Sequence, residues 1–267
     1  MGFVRTAEEI AAIERVVSEP HFVSGERLTV EFLTDRETYE RLLPPPLEPA
    51  EAPLVVVGVG RWRSNCVGDY AGGSISLAAR HEGVTGGFAV AMWMDSEPAI
   101  VFGRDVFGEP KKLASSNLFR AGDRVHAWID RHGERLVAIT GDLGDELGPS
   151  ETERVAFNYR SRPAADGIGL DGPAVLTAAR FTTTIRSRRE GSGSVELTGT
   201  VHDPLDEIRV ASILRAEYQE HDLVARCEAV ASVPAEQFLP YHYGRVDDVL
   251  ALNSAAAGAP RTATAVR

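Results

Sequence analysis

The chain has 267 residues, 43% hydrophobic and 25% charged, which is enough apolar material for a core and too much for low-complexity disorder. Its net charge of −11, from 28 basic and 39 acidic residues, argues against a nucleic-acid partner; the run from Arg186 to Glu190 is the one local basic stretch. Cys66 and Cys227 are too few for a disulfide framework and lack metal-ligand spacing. With no apolar leader and no run of 18 apolar residues, the expectation is a cytoplasmic protein without a membrane span.

Thr6-Ala-Glu-Glu9 reads as a capping box, and Ile10, Ile13, Val16 and Val17 follow at helical spacing, so a helix is expected over 6–18. Alternation at Leu28, Val30 and Phe32 predicts a strand over 27–33. Asp35 caps a second helix that runs to Leu43 and stops at Pro44-Pro45-Pro46. Residues 54–60 form a buried strand. The stretches 74–80 and 87–94 form a hairpin around a glycine-rich turn, which lacks the lysine and helix start of a phosphate loop. A short helix is expected over 98–106. Strands over 124–130 and 135–142 pair around His132-Gly133. More strands are expected near 154–160, 174–187, 193–201, 208–218 and 222–232, with a polar turn over 188–194. A last helix is expected over 236–250. This reads as one domain over 1–250 with a flexible Ala-rich tail over 251–267. Short strands with glycine turns at intervals of about ten residues point to an antiparallel sheet or barrel.

Of the 28 cationic residues only two are lysines, Lys111 and Lys112. The cationic positions contain just two adjacent pairs, 111–112 and 188–189, and both lysines fall on one of them. An amine can lose a proton and attack a carbonyl, whereas a guanidinium cannot. A second ammonium about 6 Å away is worth about 2.8 kcal/mol, enough to lower an amine's pKa by about two, and an apolar pocket lowers it further. Neighbours on a strand point to opposite faces, however, so burial is the larger expected effect. Glu109 lies two residues before Lys111, with Pro110 between them. Ionised, it would hold the lysine charged. The histidines 81, 126, 132, 202, 221 and 242 are scattered, and they read as turn or surface residues. No metal is expected.

The segments Asp95-Ser-Glu-Pro-Ala-Ile100, Gly103-Arg104-Asp105 and Gly108-Glu-Pro-Lys-Lys-Leu-Ala114 resemble the acetoacetate decarboxylase family, as do Thr34-Asp35, the stretch from Leu43 to Glu48, and Gly68-Asp69-Tyr70. The likeness is clearest over roughly residues 20–120. It implies an antiparallel β barrel or cone with peripheral helices (class α+β), usually a homo-oligomer and free of cofactor. It also implies that Lys111 forms a Schiff base with a small keto acid and that Lys112 helps set its pKa. This family is itself the general example of an activated lysine. The family's arginine and two pocket glutamates fall at Gly25, Gly58 and Gly72, which suggests a wider, less polar pocket. Arg27 and Asp69 are the nearest substitutes.

Three functions follow from the resemblance. The first is decarboxylation of a β-keto acid larger than acetoacetate. The second is an aldolase-dehydratase or cyclase using the same lysine on a 2-keto acid, with Tyr70, Tyr241 or Tyr243 as proton donor. The third is a small-molecule-binding relative without chemistry. Arg104, Glu109, Tyr70 and Tyr241 are the candidate substrate contacts. For Arg104 a structural ion pair is the favoured alternative.

Overall fold

Alternation along the strands decides what each face carries. In the computed structural model, which describes residues 2–245 and the backbone of 264–266, helix α1 (Ala7–Ser18) begins at Thr6 with the full capping box. Strand β1 (His21–Leu33) and helix α2 (Arg36–Leu42, with Asp35 accepting from Thr38 N at 2.8 Å) come next. They lead through the two-residue strand β2 (Glu48–Pro49) to β3 (Leu54–Ser64), β4 (Gly68–His81) and β5 (Val84–Met94). The β4–β5 turn is Glu82-Gly83, with φ of 48° and 81°, the left-handed geometry a two-residue hairpin needs. Helix α3 (Glu97–Phe102) runs into a π turn (Gly103–Phe107) and then the short β6 (Lys111–Leu113). Strands β7 (Ser115–Ala121), β8 (Arg124–Arg131), β9 (Glu134–Glu146) and β10 (Ser150–Arg160) precede two long ones, β11 (Ala174–Leu197) and β12 (Ser212–Val233). Helix α4 (Ala235–Arg245) closes the continuous described region.

The strand order β10-β5-β4-β3-β1-β12-β11 returns to β10 through a β10–β11 pairing, so seven strands close into a barrel. Its neighbours are antiparallel except where β10 meets β5. Beyond the barrel, β11 continues into β9, β8 and β7, which fold back over β1, β3 and β4. The main core fills that sandwich. Leu28, Val30, Val57, Val59, Ile75 and Leu77 lie on the barrel side, and Val125, Ile129, Val137 and Ile139 lie on the other, all essentially without exposure. The alternate residues of the same strands, among them Arg27, Thr29, Val56, Gly58, Ser74 and Ser76, face into the barrel and line a cavity.

Two expectations are overturned. The polar turn over 188–194 is absent: those residues run inside β11, so the strands expected at 174–187 and 193–201 are one. The strands at 208–218 and 222–232 are likewise one, β12. Glycine explains the first. A Cβ on Gly193 would lie 2.5 Å from Thr140 O and 2.7 Å from the Ala216 side chain, so glycine is what lets β11 pass between β9 and β12. Helix α4 starts one residue earlier than expected and carries Pro240 inside it; 246–250 lie outside the described residues. The expected flexible tail also lies outside them, except for β13 (Thr264–Val266), whose backbone pairs with β11.

Ile129 sits between the layers, and its Cδ1 occupies the space a side chain on Gly73 would need. Ile129→Ala is expected to cost about 2–5 kcal/mol in urea unfolding, while the barrel cavity across the sheet keeps its ligand affinity.

Candidate active site

Strand β6 runs parallel to β5, with Lys111 beside Met92 and Lys112 beside Trp93. Successive residues of a strand face opposite ways. Lys111 therefore enters the barrel cavity together with Met92, whereas Lys112 passes to the far side of the sheet together with Trp93. Both lysines are buried.

The local chain brings a carboxylate to Lys111. Lys111 N–H donates to Glu109 O at 2.8 Å, a tight turn centred on Pro110, whose fixed φ suits it. Residues i and i+2 then share a side, and Glu109 Oε2 lies 2.8 Å from Lys111 Nζ, with both side chains under a tenth exposed. Lys111 Nζ also donates to Ala99 O at 3.2 Å. The pair rests against bare backbone. A Cβ on Gly103 would stand 2.5 Å from Lys111 Cδ and 2.6 Å from its Nζ, and would collide with Glu109 Oε2. The loop is anchored by Thr177 Oγ1, which donates to Phe107 O at 2.6 Å, and by Arg245 Nη2, which donates to Gly108 O at 2.5 Å.

Lys112 has a separate counter-ion. Its Nζ donates to His202 O at 2.6 Å and to Asp203 Oδ1 at 3.0 Å. Asp203 also accepts from Arg131 Nη1 at 2.6 Å and from Trp93 Nε1 at 3.2 Å. Four buried side chains thus form one satisfied network across the sheet from the cavity.

The cavity measures about 390 Å³, toward the lower end of the roughly 300–1,000 Å³ of small-molecule sites. Tyr70 lines it, stacked on Trp62 at 5.4 Å between centroids, with Lys111 Nζ 6.0 Å from its ring centre. Burial first, and Glu109 second, push the Tyr70 phenol well above its usual range, so it stays a proton-bearing group. The half-buried Arg27 and the exposed Arg154 line the same space, and Arg154 stacks its guanidinium 5.1 Å from the Phe181 ring centre. The charged lining residues are therefore three cations (Lys111, Arg27 and Arg154) and one anion, Glu109.

A sequence profile described as Acetoacetate decarboxylase (ADC) matches residues 9–233. The chain is 32% identical over 213 residues to the acetoacetate decarboxylase of Burkholderia cenocepacia (strain HI2424), covering 76% of this chain and 84% of that one. The chain belongs to the acetoacetate decarboxylase family. Among solved structures it is similar to the acetoacetate decarboxylase of Legionella pneumophila, with TM-score 0.73 and 25% identity over 80% of this chain and 87% of that one. It shares its fold with the enduracididine biosynthesis enzyme MppR complexed with the condensation product of pyruvate and imidazole 4-carboxaldehyde. There the TM-score is 0.70 and the identity 17%, over 79% and 88% of the two chains.

At the three glycines expected to widen the pocket, neighbours crowd the backbone. A side chain at Gly25 would meet Trp62 Cδ1 at 2.6 Å and His221 Nε2 at 3.0 Å, one at Gly58 would meet Thr29 Cγ2 at 3.0 Å, and one at Gly72 would collide with Met94 Sδ. The lining still carries charge, from Lys111, Glu109, Arg27 and Arg154. Asp69 does not help; it is largely exposed and lies 3.7 Å from Arg63. Tyr241 lines the separate hollow on the Lys112 side, stacked near Phe238. Tyr243 is half exposed. Arg104 is exposed on the π turn, outside the cavity lining, and has no ion pair among the described residues. The strand alternation of β6 and the outward face of the π turn account for these misplacements.

Sequence reasoning missed Arg154, Asp203 and His221. Arg154 alternates with Ala156 and Asn158 in a strand that reads as half solvent-facing. Asp203 lies 91 residues from its lysine, with no local signal. His221, expected at a turn or surface, is buried inside β12 and accepts from Trp62 Nε1 at 3.0 Å through Nε2. Burial, then the Arg27 guanidinium, pushes the His221 imidazole down to about 3. It is thus neutral when folded and protonates near 6.5 when unfolded.

Two predictions follow from this geometry. Gly103→Ala forces Lys111 and Glu109 apart and is expected to cut keto-acid adduct formation at least tenfold without unfolding the barrel, as read by borohydride trapping and circular dichroism. Because the folded pKa of His221 is depressed, the unfolded chain takes up the extra proton as pH falls through 6.5. Stability then drops by about 1.4 kcal/mol per pH unit toward pH 4. Urea unfolding at pH 7 and pH 5 should show a smaller drop for His221→Gln than for the unsubstituted protein.

Proposed function

We propose that the protein is a lysine Schiff-base lyase that decarboxylates a β-keto acid larger than acetoacetate. The observation that carries this reading is the Lys111–Glu109 pair, 2.8 Å apart and buried at one end of the cavity. A nucleophile with a proton acceptor at hydrogen-bond distance is the arrangement that amine attack requires.

Glu109 takes a proton from Lys111 Nζ, whose lone pair then attacks the substrate ketone. Glu109 returns the proton to the carbinolamine oxygen as water leaves, giving an iminium. The electrons of the bond to the carboxylate flow into the iminium, CO2 departs, and an enamine remains. The enamine carbon takes up the proton of Tyr70, which is replaced from solvent. Water then releases the ketone and regenerates Lys111. The sum is one keto carboxylate plus one proton giving one ketone and CO2. Around the bond that breaks, Phe102, Phe107, Met92 and Met94 present apolar surface. That surroundings disfavours the carboxylate more than the neutral CO2 it becomes.

The aldolase-dehydratase alternative loses two of its three proposed acids, since Tyr241 and Tyr243 do not face Lys111; only Tyr70 does. The test is reduction with borohydride in the presence of acetoacetate, a longer β-keto acid or pyruvate, followed by intact mass and peptide mapping. Decarboxylation predicts an adduct on Lys111 that lacks the carboxyl mass; retention of the carboxylate supports the alternative. Lys111→Arg should abolish both adduct and turnover, and Glu109→Gln should slow adduct formation by about 10²–10⁴-fold. Unchanged turnover in Lys111→Arg would refute the imine mechanism.

A further inference from the structure

We propose that Arg27 and Arg154 form an anion subsite inside the barrel, and that it receives a second, non-reacting carboxylate of the substrate; the inference rests on Lys111 engaging that substrate's ketone. The natural substrate class is then a keto diacid rather than a keto monoacid.

Three observations carry it. A guanidinium withdrawn from water is costly unless paired, and the buried Arg131 has Asp203 at 2.6 Å. Arg27 and Arg154 line the cavity with no carboxylate in ion-pair contact among the described residues, and Arg27 Nε is buried without a hydrogen-bond partner. Second, the carboxylates near them are already engaged. Glu217, the buried one closest in effect to Arg27, takes Gln219 Nε2 at 2.6 Å and has Arg188 and Arg215 at 4.0 Å, while Glu109 is held by Lys111. Third, the two cations act on each other. Burial, then Arg27, pushes Arg154 down to about 9, so it is still charged at neutral pH but strained by its neighbour. A dianionic ligand relieves both the missing partner and the repulsion.

The reacting carboxylate is the poorer occupant. It must shed its charge as CO2 forms, and a two-guanidinium clamp would stabilise the ground state more than the transition state. A distal carboxylate keeps its charge throughout, so gripping it orients the ketone at Lys111 without that penalty.

The test compares 3-oxoadipate with 3-oxohexanoate, which has the same carbon count and one carboxylate fewer. It also measures calorimetric binding of glutarate and butyrate, which have no ketone. The unsubstituted protein is expected to favour 3-oxoadipate by about a hundredfold in kcat/KM, since a charge-assisted bidentate contact is strong. Arg27→Gln and Arg154→Gln should each lower kcat/KM for the diacid about tenfold, mainly through KM, and leave the monoacid nearly unchanged. Removing a cation that has no ion pair among the described residues should leave the unfolding midpoint equal or higher, so loss of fold is not the expected route. Lys111→Ala should form no adduct and still bind glutarate more tightly than butyrate. Equal turnover of both acids, or an equal loss for the monoacid in the arginine variants, with the Lys111 adduct still forming, overturns the subsite and leaves the imine reading standing. Arginine-dependent glutarate binding with no Lys111 adduct from either acid sinks the imine reading and keeps the subsite.

Discussion

Two successive residues of a strand cannot face the same side of a sheet, and the site is built around that constraint. In β6 it sends Lys111 into the barrel and Lys112 out of it. The two ammonium groups that look like a pair in sequence become the ends of two separate charge systems. Lys111 meets Glu109, which the Pro110 turn returns to its side. Lys112 meets Asp203, and through it Arg131 and Trp93.

The outer system gives Lys112 a positional part. β6 is only three residues long and has a single strand neighbour, β5. Ladder hydrogen bonds alone would hold it weakly. The buried network ties it to the segment around Asp203, and breaking such a pair by removing one partner costs about 3–5 kcal/mol. The side chain of Lys111 is aimed by whatever fixes its backbone, so an interaction on the far face bears on where its amine stands in the cavity.

Features set by a few neighbouring residues were legible in the sequence. The Thr6 capping box, the Asp35 cap and the His132-Gly133 hairpin all lie where local chemistry puts them. So do the alternation of Leu28, Val30 and Phe32 and the divergence of the two lysines. The long strands were not legible, because Gly191, Gly193 and the polar run before them signal a turn unless the close approach of β9 is known. The interior of the barrel was not legible either. A strand whose inner face lines a polar cavity shows the same period-two pattern as one that faces water, so Arg154 reads as a surface residue. Asp203 and His221 depend on contacts across 91 and 159 residues, and nothing local marks them.

A glycine in a strand is read from sequence as a gap, and here it is a receptor for a neighbour. At Gly25 the neighbours are Trp62 and His221, at Gly58 they are Thr29 and Arg27, and at Gly72 it is Met94. Glycine at these three positions makes room for those neighbours, and the cations of the lining are Lys111, Arg27 and Arg154. The result is a cavity with more cations than anions inside a protein of net charge −11. Charges on the outer surface are screened by water and salt, while those in the barrel act through a low dielectric at short range. The interior therefore governs what binds. Arg27 and Arg154 have no carboxylate in ion-pair contact among the described residues, so an anion entering the barrel displaces none.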